Sequence, residues 1–146
     1  MKKVMTAMAM TTALSAPVVA NTAAATELVD KVVITLTSAE QQTRGMAMVL
    51  GNAMQAKGAQ VSVLLCDSAG DMALKEQQSA ALKPNDVTPE ELMKKLMLGG
   101  AKVEVCALYL PNKGVAGDAL IDGVGMAKPP AMAEALMDSD ARVFNF

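Results

Sequence analysis

Cys66 and Cys106 are the only thiols in a 146-residue chain that contains no histidine. That combination narrows the chemistry. Without an imidazole, Ser-His-Asp and Cys-His nucleophilic catalysis are excluded. A zinc site would need four ligands from two thiolates and carboxylates, with no C-x-x-C to start from, so no metal site is assigned. Copper(I) prefers thiolate and thioether ligands. Nine methionines remain beyond residue 20, but Met46, Met93, Met97, Met132 and Met137 sit on predicted helix faces, where core packing is the default. Only Met126, in "DGVGMAKPP", is placed to approach Cys106. Neither G-x-x-x-x-G-K-[ST] nor G-x-G-x-x-G occurs, and no cofactor is called for. "SAEQQTRG" is no glycine cradle, although a helix starting there would offer free N–H groups to an anion. The carboxylate pairs Glu90/Glu91 and Asp138/Asp140 fall at predicted helix ends, where capping and dipole roles suit them.

Sulfur is what remains. In an oxidising compartment two cysteines tend to pair. A bond closing this loop of about 40 residues would stabilise by roughly 4 kcal/mol in the chain-entropy model, provided the Cα atoms lie within about 7 Å. A working thiol instead needs a nearby cation or helix N-terminus. Lys113, in "LPNKG", can supply the cation, while Glu104 shares the strand face of Cys106 and opposes ionisation. On the residues alone, structural disulfide, working thiol and inert buried thiols all stay open.

The elements that must position these sulfurs read as follows. "KVVITLT" (31–37) is a β-branched strand buried on both faces. A helix follows, with Ser38 and Gln41 as a capping box, Met46, Val49, Leu50 and Ala53 as its apolar face, and Gly58 beyond its end. "QVSVLLC" (60–66) is a second strand ending in Cys66. A short helix near Met72 to Lys75 leads into a polar loop, then a helix capped by Thr88, Pro89 and Glu91 and ended by Gly99 and Gly100. Its apolar face is Leu92, Met93, Leu96 and Met97. "KVEVCAL" (102–108) is the third strand, running into a Pro-Asn-Lys-Gly turn. A helical turn near "GDALIDG", a last helix opening at Pro130 and a final strand "ARVFNF" (141–146) complete the chain. Strand and helix alternate, which predicts a three-layer α/β/α sandwich with a mainly parallel sheet of four or five strands. Chemistry in such sheets sits beyond the carboxyl ends of the strands, where both cysteines lie.

The bulk composition excludes one class of partner. Aromatic residues make up 2% of the chain, net charge is −2 and no run of Lys/Arg exceeds two, so nucleic acid is not a partner to expect. The N-terminus has the form of an export signal: "MKK", an apolar run of 11 residues, then "SAPVVA". Residues 1–20 are read as a signal peptide cut after Ala20, with Ala25 the alternative. Residues 21–28 are then a leader and 29–146 the domain. Cleavage leaves a net charge of −4 and implies a periplasmic location with no membrane segment in the mature chain.

"KVEVCALYLPNKG" resembles the cysteine segment of the DsrE/DsrF-like family, which includes the TusD-type sulfur-relay proteins. "VVITLTSAEQQTRGMAMVLGNAMQAKGAQVSVLLC" is similar to that family's opening strand, helix and strand, and "MAEALMDSDARVFNF" to its closing helix and strand. The resemblance implies a DsrE/F-like fold over residues 29–146, assembled as a homo-oligomer, a trimer or hexamer. It implies Cys106 as the sulfur acceptor of a sulfurtransferase-type carrier, exchanging a persulfide with donor and acceptor proteins. Some members carry a second cysteine three residues on, where this chain has Tyr109. Cys66 lies outside the shared positions, as a resolving or disulfide partner, and Ser38, Arg44, Lys113 and Met126 are the expected pocket residues. Two other readings stand beside this one: a non-catalytic copper or small-ligand module using Cys and Met, and a structural oligomer with a Cys66–Cys106 disulfide.

Overall fold

The structure, a computed structural model, describes residues 28–146. The expected signal peptide, both cleavage points and leader residues 21–27 lie outside the described residues. Five strands, β1 (Lys31–Leu36), β2 (Gln60–Leu65), β3 (Lys102–Val105), β4 (Gly125–Met126) and β5 (Ala141–Asn145), form one sheet in the order β4-β3-β2-β1-β5. Every pairing is parallel, as the strand-helix alternation predicts. Four helices, α1 (Gln41–Ala56), α2 (Pro89–Leu98), α3 (Tyr109–Lys113) and α4 (Pro129–Met137), make the connections.

The two sheet faces are unequal. Side chains alternate along a strand, so the register puts Val32, Ile34 and Leu36 on one face with Val61, Val63, Leu65, Val103 and Val105. None of these exceeds 3% exposure. Burying each such side chain is worth about 1.5–3 kcal/mol, and this face anchors the fold. Helices α1 and α2 cover it. Gly51 of α1 lies so close that an added Cβ would sit 3.1 Å from both Ile34 Cδ1 and Leu96 Cδ2.

The opposite face carries buried Val33 and Leu64 beside Thr35, Ser62 and Glu104, so it is partly polar. Thr35 Oγ1 donates to Asn145 there, and Lys102 pairs with Glu104 at 2.9 Å. Helix α4 packs beside β5 with no buried residue.

Local details depart from the sequence reading in five places. Helix α1 is capped at Glu40, with Ser38 Oγ accepting from the Glu40 N–H at 3.0 Å, so the Ser38–Gln41 capping box does not form. The buried side of α1 is Arg44, Gly45, Ala47, Met48 and Gly51, while Met46, Val49, Leu50 and Ala53 face outward. Small residues let the helix axis approach the sheet, and that advantage outweighs the bulk of the longer apolar ridge. The short helix after β2 is a 3₁₀ segment at Asp67–Ala73, earlier than expected. Strand β3 stops at Val105, and "YLPNK" winds into α3 instead of a simple turn. Strand β4 is a two-residue edge strand inside the glycine-rich segment, too short for any periodicity to reveal. The Thr88 capping box of α2 forms in full, and Gly58 and Gly100 close α1 and α2 at φ 97° and 98°.

Candidate functional site

The β2–β3 register decides where the sulfurs go. Leu65 pairs with Val105, so one residue later Cys66 and Cys106 leave the sheet at the same level. The Cys66 N–H donates to Leu36 O at 2.9 Å, and the Cys106 N–H donates to Leu65 O at 2.8 Å. Both backbones are thus held to the strand ends. By alternation both side chains fall on the partly polar face, in line with Leu64 and Glu104. Both cysteines are free thiols, half-buried, and they line the same cleft.

Burial pushes the Cys66 thiol up to about 12, helped by the neighbouring Cys106 side chain and by the charge of Asp67. Cys66 therefore keeps its proton through the neutral range.

The sulfurs stand in a cleft of about 830 Å³. Leu64, Ala127 and the two cysteines form its floor, and Pro129, Met132, Ala133 and Leu136 of α4 form one wall. The other wall comes from Asp67, Ser68 and Asp71 of the 3₁₀ segment and from Leu108, Tyr109, Asn112 and Lys113 at α3. The lining is mostly apolar, with the charges gathered at the rim.

That rim is organised around Asp71. Its Oδ1 accepts from Tyr109 OH at 2.6 Å and pairs with Lys113 Nζ at 2.7 Å. Burial pushes the Asp71 carboxyl up, but the Lys113 and Tyr109 hydrogen bonds and the Lys113 and Arg44 charges outweigh it and hold it below its ordinary value. The Tyr109 hydroxyl is raised well above its usual range, by burial first and then by its bond to Asp71. Gly70 makes room for this ring: a Cβ there would meet Tyr109 Cδ2 at 2.4 Å.

The expected pocket residues are only partly brought together. Lys113 lines the cleft beside Cys106, although its charge is shared with Asp71. Arg44 is buried in α1 and does not line the cleft; its Nε donates to Ser38 O at 2.8 Å and its Nη2 to Ser68 O at 2.5 Å. It ties the exit of β1 to the exit of β2 from behind the site, and Ser38 takes part through its carbonyl alone. Met126 pairs with Val105 and is 57% exposed; the next residue, Ala127, lies in the cleft beside Cys106. Glu104, expected to oppose Cys106, has its carboxylate paired with Lys102. Among the described residues no group of three His, Cys, Asp or Glu side chains is arranged to hold a metal ion. Asp71 is not singled out by the sequence, where "DSAGDMALKEQQ" reads as a polar, mixed stretch with one short helix near Met72 to Lys75. The glycine next to it, against which Tyr109 lies, is the one local signal.

No family model matches the chain, and no curated protein does. Among solved structures the fold is similar to that of the YchN protein from E. coli, with a TM-score of 0.67 at 16% identity, covering 82% of this chain and 100% of that one. It is also similar to MTH1491 from Methanobacterium thermoautotrophicum, described as of unknown function, with a TM-score of 0.64 at 12% identity, covering 80% and 98%. These likenesses establish the α/β fold with its five-stranded parallel sheet.

Proposed function

We propose that the protein takes up sulfane sulfur as a persulfide on Cys106 and passes it to a partner thiol. The observation that carries the reading is the Cys106 sulfur held beside a proton-bearing Cys66 in an open cleft with Lys113 at its rim. In loading, the Cys106 thiolate attacks the outer sulfur of a donor persulfide, the donor thiolate leaves, and Cys106–S–SH remains. In unloading, a partner thiolate takes the outer sulfur and Cys106 thiolate is regenerated. The cleft has room for the extra sulfur atom against apolar walls. The shared fold supports the DsrE/DsrF-like resemblance at the level of architecture.

Export to the periplasm and homo-oligomeric assembly belong to the same proposal. The first rests on the N-terminal sequence. The second is supported by Leu108, Leu136 and Met137, which are exposed around the cleft and α4, where a second copy would cover them.

The test is mass spectrometry of the reduced protein after exposure to inorganic polysulfide. A gain of about 32 Da mapped to Cys106, absent in Cys106→Ser, is the expected result. A reduced, folded protein that gains no sulfur on Cys106 overturns the proposal.

A further inference from the structure

We infer that Cys66 discharges the loaded site, attacking the Cys106 sulfur of the persulfide, releasing hydrosulfide and leaving a Cys66–Cys106 disulfide that an external dithiol must reduce. This rests on the persulfide reading above and assigns a product to it. The relay then has a second exit, toward inorganic sulfide.

The geometry carries it. Adjacent strands in a sheet lie about 4.8 Å apart, and Cys66 and Cys106 follow directly on the paired Leu65 and Val105. That spacing falls within the Cα separations that a disulfide spans, about 4.4–6.8 Å. Both side chains leave neighbouring strands on the same face and line one cleft, so the sulfur that Cys66 neighbours is the inner sulfur of the future persulfide, on Cys106 itself. The outer sulfur has the cleft to occupy, between Leu64, Ala127 and Met132. No other thiol is available within the chain, since Tyr109 stands three residues after Cys106 and its hydroxyl is engaged with Asp71.

The step balances. Cys66–SH and Cys106–S–S⁻ give Cys66–S–S–Cys106 and HS⁻. The bond between the Cys106 sulfur and the outer sulfur breaks as the bond between the two cysteine sulfurs forms. The outer sulfur leaves with the electron pair and is reduced to sulfide, and the Cys66 sulfur is oxidised. The proton that burial keeps on Cys66 moves to the departing sulfur, which makes hydrosulfide the leaving group and avoids a sulfide dianion. A dithiol then returns the disulfide to two thiols and is itself oxidised to a disulfide.

Reduced protein and the Cys66→Ser and Cys66→Ala variants are exposed anaerobically to inorganic tetrasulfide and desalted at once. Hydrosulfide release is then followed with a sulfide-trapping bimane, beside intact mass and peptide mapping. The inference expects the wild type to release one hydrosulfide per chain while a Cys66–Cys106 disulfide forms in step. It expects both variants to keep the gain of about 32 Da on Cys106 and to release hydrosulfide at least about tenfold more slowly. A wild type that keeps its added sulfur without releasing hydrosulfide overturns the inference, as does sulfur found transferred to Cys66. Both outcomes leave the persulfide reading intact. Folded variants that never acquire sulfur on Cys106 overturn the persulfide reading, and this inference with it. The disulfide appearing in step with sulfide in the wild type is decisive even if both variants fold poorly.

Discussion

The division of labour between the two sulfurs can be measured by competition alkylation. Wild-type protein is treated with substoichiometric iodoacetamide beside an unstructured peptide thiol, and each cysteine is quantified by peptide mapping. The Cys66 thiol is pushed from an ordinary 9.0 to about 12. At pH 8 its thiolate fraction is therefore lower than the reference by about three orders of magnitude. A more basic thiolate is a better nucleophile, with a Brønsted slope of about 0.4–0.5, which returns roughly twentyfold. The net expectation is Cys66 labelling about 50-fold slower than the reference, before any steric shielding. Its rate should climb tenfold per pH unit from 8 to about 11, well past the point where the reference levels off. Labelling within about fivefold of the reference, or a plateau near pH 9, refutes the assignment of the proton to Cys66.

Cys106→Ser dissects the causes. It removes the neighbouring Cys106 sulfur but leaves burial, the largest contribution, and Asp67 in place. Cys66 should then react faster than in the wild type and still slower than the reference. Full recovery of reference reactivity would mean that burial contributes little, contrary to the half-buried position of the thiol at the cleft floor.

Gly70→Ala should cost about 1–3 kcal/mol in urea unfolding, because its Cβ would meet the Tyr109 ring, which the Asp71 bond holds in place. Tyr109→Phe should cost about 1 kcal/mol, the worth of one partly screened hydrogen bond; an unchanged midpoint would show that the bond is idle. Thermal stability should fall on both sides of neutral. Cys66 and Tyr109 have raised folded-state values, so their contribution is full below about pH 9 and is lost as pH rises above the ordinary 9.0 and 10.0. Asp71 is lowered, so its contribution holds above the ordinary 3.8 and is lost as pH falls below it. Tyr109→Phe should flatten the alkaline side, and an unaltered alkaline slope would argue against that linkage. Met48→Ala, on the sheet-facing side of α1, should cost about 2–5 kcal/mol, and the exposed Met46→Ala within about 0.5. Equal costs would place the helix on its other face.

Legibility followed the range of the interactions. The β-branched runs at 31–37 and 60–66 announce strands because burial on both faces imposes a local composition. Thr88, Pro89 and Glu91 announce α2 because a capping box is satisfied within four residues. The periodicity of helix α1 points to the wrong side because Ala, Met, Val and Leu run nearly all round it. There the deciding quantity is how closely the backbone approaches Ile34 and Leu96, which no periodicity records. Asp71 gains its role from Tyr109 and Lys113, about 40 residues away, and so could not stand out locally.

The pairing of the cysteines lies between these extremes. Each one, taken alone, reads as the end of a strand on the face of Leu64 or of Glu104. Their meeting follows only from β2 and β3 being neighbours in register, a fact of topology. This has a chemical consequence. Three residues after Cys106, Tyr109 turns its hydroxyl to Asp71, and the second sulfur comes from the neighbouring strand. Each cysteine is held by one backbone hydrogen bond at the carboxyl end of an interior strand, so their separation does not depend on the short helix α3 holding its shape. The thiol pair is thereby placed by two interior strands, whose other face carries the buried core.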